Sequence, residues 1–256
     1  MDERIRKQWE NNAEAFSSLI DGRGTPHHRM ILNPCVERLL EDVKGKKLLD
    51  AGCGEGYLAR HYAKKGALVT GIDLSERLIE TAKQLTVDGS VDFCVDDLCE
   101  IQTISNPEFD IILCNLVLLN IPCLDDALKE FQRVLKIGGI LVFSIVHPAF
   151  NFYGPGSWEM GEKSTETKRR EGLFFKIDRY FEEEEYQHYW KTRQGETFPE
   201  PISFFHRTLS TYLNSLSNAG FRLLEFAEPQ PIDDDKFFER ERRVPFFAVF
   251  KAIKEG

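Results

Sequence analysis

The stretch KKLLDAGCGEGYLARHYAKKGALVTGIDLS, residues 46–75, sets glycines at positions 52, 54 and 56 directly after an apolar run, and an acid, Asp73, at the end of a second run. Three glycines in five positions exceed what a tight strand-to-helix turn needs. Such a turn lets backbone approach a ligand closely, and the helix beyond it presents free N–H groups. A dinucleotide fingerprint starting at Gly52 would need a further glycine at position 57, which is Tyr57, and no Gly-Lys-Ser/Thr of a P-loop follows. What remains is GxGxG, with Asp50 before it and Asp73 about 20 residues on, where a carboxylate can accept both hydroxyls of a ribose. The ligand should carry a ribose and no pyrophosphate.

From Lys46 to about Val146, short β-branched runs alternate with longer amphipathic segments, the pattern of a parallel sheet with crossover helices. Strands are expected at 47–51, 68–73, 91–95, 109–115 and 139–146, and helices at 56–65, 75–86 and 124–136. Upstream, 3–20 and 30–43 read as helices joined by the turn-rich DGRGTPHH. Residues 147–207 break the regularity with aromatic and charged residues, and carry weak strand patterns near 173–181 and 186–192. A helix at 208–219 and strands at 221–228 and 244–251 follow. No repeat or low-complexity linker interrupts the chain. The expected organisation is therefore one domain over 1–256: a helical cover (1–44), a cofactor-binding core (45–146), a lid or acceptor insertion (147–207), and a C-terminal part (208–256) that completes the sheet.

The net charge of −9 argues against nucleic acid as a partner. The basic cluster Lys168-Arg169-Arg170 is followed by four glutamates at 182–185 and reads as a solvated face. No apolar run approaches the ~20 residues of a membrane span, and the charged N-terminus lacks a secretory h-region, so a cytoplasmic protein without membrane contact is expected. The six cysteines form no CxxC pair and have no histidine at metal-ligand spacing; they read as free, apolar filler, with no metal.

LLDAGCGEGYLA, VTGIDLS, VDFCVDDL, FDIILCNLVLLNI and LKIGGILVFSIVHP, in that order, resemble the successive motifs of class I S-adenosylmethionine-dependent methyltransferases of type 11 or 25. The likeness spans roughly residues 45–148, and FHRTLSTYLNSLSNAGFRLLEFAEPQP extends it loosely. It implies an α/β, doubly wound Rossmann-like sheet of seven strands in the order 3-2-1-4-5-7-6, the last strand antiparallel. It also implies S-adenosylmethionine as cofactor and S-adenosylhomocysteine as product. By position, Gly52, Gly54 and Gly56 would lie beneath the methionine moiety, and Asp50 would orient that loop or meet the ammonium. Asp73 and Leu74 would hold the ribose. Asp97 and Leu98 would contact adenine, with Asp96 as the alternative, and Asn115 and Leu116 would flank the methionine arm. Arg29 is a candidate for the methionine carboxylate.

Leu119-Asn120 stands where many relatives carry histidine, which excludes a histidine base there. His147, after the fifth strand, and His206, beside Arg207, are the candidate general bases, because imidazole titrates near neutrality; each can equally be a packing or capping residue. Trp9, Phe16 and His28 could close over the cofactor. Tyr153, Trp158, Tyr180, Tyr189 and Trp190 could wall an acceptor pocket or form the core of a cap. The function implied is methyl transfer to N or O of a small-molecule or short-peptide acceptor by a monomer or homodimer. The alternative is a silent module of the same fold that holds cofactor or a partner protein.

Overall fold

The structure, a computed structural model, describes residues 2–166 and 170–256; Lys168 and Arg169 of the basic cluster lie outside them. α1 (Glu3–Ile20) opens the chain, capped by the Asp2 carboxylate. A π-helical turn (His28–Leu32) then runs into α2 (Asn33–Leu40). The apolar runs become β1 (Lys47–Ala51), β2 (Leu68–Asp73), β3 (Val91–Val95), β4 (Phe109–Asn115) and β5 (Leu135–Val146). Between them lie α3 (Tyr57–Lys64), α4 (Glu76–Leu85) and α5 (Leu124–Val134). α5 buries Leu124, Ala127, Leu128, Phe131 and Val134, the 3–4 spacing of a single helix face. After an irregular stretch come α6 (Leu209–Asn218) and two further sheet strands, Phe221–Ala227 and Phe247–Lys254.

The irregular stretch itself forms two hairpins, β6 (Gly156–Lys163) with β7 (Arg170–Ile177) and β8 (Glu185–His188) with β9 (Ile202–Phe205), so the late sheet strands are β10 and β11. The main sheet runs β3-β2-β1-β4-β5-β11-β10, with β11 antiparallel to both its neighbours. This is the expected topology. Phe143 and Phe250 stack across the β5–β11 seam at 4.4 Å, inside one continuous apolar core.

Three local departures have physical causes. α5 stops at Val134 and β5 starts there, because Leu135 already pairs with Phe109; the extra residues are taken up at Gly138–Gly139 before pairing resumes between Ile140 and Ile111. β6 and β9 escape sequence reading because the first is interrupted by glycine and the second has four residues. Cys99 and Cys123 are not free: they are joined in a disulfide, their Cα atoms 5.8 Å apart, tying the loop after β3 to the start of α5. Spacing could not show this across 24 residues. Among the described residues no helix is long and apolar enough to cross a membrane.

The β8–β9 hairpin and α1 are joined directly. The fully buried Asn12 exchanges two hydrogen bonds with the backbone of Glu200, at 2.9 and 3.0 Å. Arg193 donates to the terminal carbonyls of α1, Leu19 O at 3.0 Å and Ile20 O at 3.3 Å, satisfying groups that the helix itself leaves open.

Candidate functional site

A cavity of about 480 Å³ opens at the carboxyl ends of β1, β2 and β4, where α/β sheets place their ligands. Its floor is the glycine turn. Gly52 and Gly54 have φ of 77° and 54°, in the left-handed region, and the turn is held down by Gly52 N and Cys53 N, which donate to Ile72 O at 2.8 and 2.9 Å. A Cβ on Gly54 would meet the Phe16 ring at 3.0 Å, and one on Gly52 would overlap Val117. Gly56 departs from expectation. It is absent from the cavity wall, and its hydrogen side chain instead makes room for Phe93, which a Cβ would approach to 2.7 Å.

Two carboxylates behave differently on this floor. Asp73 accepts from Gly54 N at 2.8 Å and Ser75 N at 3.0 Å, which locks the turn against the head of α4. Asp50 is 2% exposed, and its Oδ2 has no hydrogen-bond partner among the described residues. Burial, and secondarily the nearby Asp73, raise its pKa to about 7. A buried carboxylate short of a donor fits a ligand that brings a cation.

Leu74, Asp97, Leu98, Asn115 and Leu116 also line the cavity. Asp96 does not. It accepts from Asp97 N, Gln102 N and Thr103 N and so anchors the loop after β3. Leu116 is left-handed, φ 58°, which is strained for a side chain of this type. Its N–H is held by Ser144 O and Oγ at 3.1 and 3.0 Å, while Ser144 Oγ donates to Asn115 Oδ1 at 2.8 Å. The cover supplies the opposite wall: Trp9, Phe16, Tyr153, Tyr189 and Trp190. Tyr153 stacks on Phe204 at 4.6 Å, and the Trp190 Nε1 is buried with no hydrogen-bond partner among the described residues.

Residues 49–143 match the model of the methyltransferase domain family. A solved structure assigned to the S-adenosylmethionine-dependent methyltransferases, from Listeria monocytogenes, is 30% identical, covers 87% of this chain and 96% of its own, and superposes with a TM-score of 0.74. This chain belongs to that family. An uncharacterized protein of Haemophilus influenzae is 30% identical over 87% of each chain. A ubiquinone biosynthesis O-methyltransferase of Coxiella burnetii is 36% identical over 137 residues, 52% of this chain and 57% of its own; the chain thus spans little more than half the length of such relatives. S-adenosylmethionine is the cofactor, and the orphaned Asp50 oxygen and the open glycine turn fit its cationic, ribose-bearing structure.

Several candidate residues lie elsewhere in the methyltransferase. His147 is 3% exposed and outside the cavity. Its Nδ1 accepts from Ala149 N, its Nε2 lies 2.9 Å from Glu228, and burial lowers its pKa against that carboxylate. His206 is buried just after β9, outside the cavity wall, with Nε2 on Tyr180 O at 2.8 Å. Arg29 donates to Gly24 O at 2.6 Å and does not reach the cavity. Trp158 packs on Phe175 and under Arg243, and Tyr180 accepts from Leu209 N, so both belong to the cap's own packing.

Three positions at or beside the cavity have contacts that the sequence does not announce. Asn120 lines the cavity and donates to Ser203 O at 2.7 Å, joining the methyltransferase core to β9. Arg207 is buried and donates to the carbonyls of Leu118, Ile121 and Pro122 at 2.9, 2.7 and 3.0 Å, clamping the loop after β4. Nothing in the neighbouring sequence marks either partner. His27, another wall residue, was equally unmarked.

Proposed function

We propose that the enzyme transfers a methyl group to an oxygen or nitrogen atom of a small, largely apolar, ring-bearing acceptor. The observation that carries this reading is one cavity shared by the glycine floor and the aromatic cover. Flat rings pack edge-on or offset against walls such as Phe16, Tyr153 and Trp190. The unpartnered Trp190 N–H asks for one acceptor atom on the bound molecule. The name of the Coxiella relative, an O-methyltransferase, supports oxygen as the methylated atom.

In this reading Asp50 meets the ammonium and Asp73 the ribose hydroxyls, with Leu74 packed alongside. Asp97 and Leu98 hold the adenine, and Asn115 and Leu116 border the methionine arm. The cofactor supplies an electrophilic methyl group on a sulfonium. The chain's part is to align the acceptor in line with it, which an entropy argument makes worth several kcal/mol, and to keep water out with Phe16 and the lid. Incubation with a panel of phenols, catechols and aromatic amines should release S-adenosylhomocysteine. Asp73→Ala should weaken cofactor binding by about 1.5–3 kcal/mol in a folded protein. Tight binding of cofactor with no turnover on any ring-bearing acceptor would count against the acceptor class, and unchanged affinity in the variant would remove Asp73 from the ribose.

A further inference from the structure

Apart from the acids of the floor, the cavity wall holds an imidazole with a carboxylate of its own. His27 sits just before the π-helical turn, and its Nε2 lies 2.9 Å from Oε1 of Glu241, which arrives from the loop between β10 and β11, 214 residues along the chain. The Glu241 side chain is only 4% exposed. The ring is fixed by stacking on Phe246, centroids 5.1 Å apart at 27°, and by the edge contact with Phe238 at 5.5 Å. A carboxylate only accepts, so Nε2 carries the hydrogen and Nδ1 keeps its lone pair. The same wall includes Val146 and Phe247 at the sheet's edge and Val117 beside the glycine turn. The neighbouring imidazole has no such arrangement. His28 uses Nδ1 to accept from Thr25 N at 3.1 Å, and burial pushes its pKa down to about 4.

We propose that His27 is the general base of the transfer, held in its reactive tautomer by Glu241, and that the acceptor presents an acidic O–H of the phenol type. This rests on the methyl-transfer reading above. The acceptor oxygen gives its proton to Nδ1 of His27 as its lone pair forms the bond to the methyl carbon, and the electron pair of the broken carbon–sulfur bond stays on sulfur. The imidazolium so formed is balanced by Glu241 and then returns its proton to water. A phenol suits this base better than an aliphatic alcohol, because proton transfer is efficient where the two acidities lie close together. The dyad also explains how the enzyme does without a histidine at Leu119-Asn120: a base is delivered from the cover instead.

The test uses 4-nitrophenol as a chromogenic probe on the protein saturated with S-adenosylhomocysteine, at a pH just below that at which the free probe ionises. Bound probe should show the phenolate absorption band. His27→Gln should lose the band while calorimetry shows S-adenosylhomocysteine binding as in the wild type, which also certifies the fold. Glu241→Gln should move the half-ionisation pH of the bound probe upward by a unit or more, the usual effect of removing an adjacent opposite charge. A purely structural Glu241 would not move it. A wild-type protein that shows no phenolate at saturating probe, or a band that survives in His27→Gln, overturns the proposal. Failure of the wild type to bind S-adenosylhomocysteine would instead overturn the cofactor site, and the calorimetry reads that separately.

Discussion

The floor of the cavity and its cover are built by opposite strategies. The floor is made of consecutive residues at strand ends. Asp50 to Gly54 leave β1 in one turn, Asp73 ends β2, and their mutual bonds, such as Gly54 N to Asp73 at 2.8 Å, join neighbouring strands. The cover is made of pairs from distant parts of the chain: Asn12 with Glu200, His27 with Glu241, Arg207 with the loop at 118–122. A floor of the first kind can serve any acceptor, while a cover of the second kind can be rebuilt around a new one without disturbing the sheet.

The sharpest test of this contrast is Asp50→Asn, for which the floor should trade stability against binding. Without cofactor, the Asp50 carboxyl has its pKa raised from 3.8 to about 7, chiefly by burial. A raised carboxyl pKa means that the folded protein holds a proton the unfolded chain has released. The stabilising proton is fully present below pH 4 and lost as pH rises through about 7. At neutral pH and above, the ionised group costs up to about 4 kcal/mol. Asp50→Asn should therefore raise the melting temperature of the cofactor-free protein at pH 8, with no gain near pH 3, while weakening S-adenosylhomocysteine by roughly tenfold or more through the lost charge-assisted contact. Denaturation at the two pH values and calorimetry check it. A variant equally unstable at both pH values would mean that Asp50 is already compensated.

That difference in construction also decides what could be read from the sequence. The core strands, their order and the acids at their ends were legible because strand periodicity and glycine turns are local properties, and residues 47–51 or 91–95 carry them whole. The cover was legible only as an irregular insertion rich in rings. His147 and His206 stand where a base would be useful, but what an imidazole does depends on its partners, here Glu228 and Tyr180 O, which no spacing rule connects to them. The same holds in reverse for His27, whose carboxylate lies 214 residues away. Gly56 shows the same limit: its close neighbour Phe93 comes from another strand, which spacing could not show.

A second, smaller effect should come from Arg207, where cover and core meet. Its guanidinium is buried and satisfies three carbonyls of the loop after β4. Arg207→Met keeps much of the volume and removes those bonds, so stability should fall by about 2–3 kcal/mol. Because Asn115 and Leu116 are held separately by Ser144, cofactor affinity should stay within a few-fold while the KM for the acceptor rises. Urea denaturation and calorimetry on one sample measure both. Cofactor affinity lost in parallel with stability would show that floor and cover are not separable units.

The smallest effect is expected at Arg4, and it bears on how the cover is fastened. Arg4 donates to both oxygens of Glu185, at 2.5 and 2.9 Å, and to Ser203 Oγ at 3.1 Å, so by geometry alone it is a fully made link between α1 and the β8–β9 hairpin. Yet the two side chains are 45% and 29% exposed, and an ion pair in contact with water loses most of its Coulomb energy to solvent and to the ordering of two long side chains. The Asn12 side chain is neutral, fully buried and bonded to the half-buried backbone of Glu200, and removing it would leave an N–H and a C=O short of a partner. The fastening should therefore lie with Asn12, while Arg4 should contribute roughly 0.2–1 kcal/mol, a quantity that shrinks as added salt shortens the screening length from about 10 Å at 0.1 M to 3 Å at 1 M. Arg4→Gln, compared with wild type in urea at the two salt concentrations, should show a small loss at low salt and almost none at high salt, with cofactor affinity unchanged at both. A loss of several kcal/mol that ignores salt would mean that the lid is pinned at its exposed edge, and that the buried Asn12 contact follows from the closure of the cover rather than causing it.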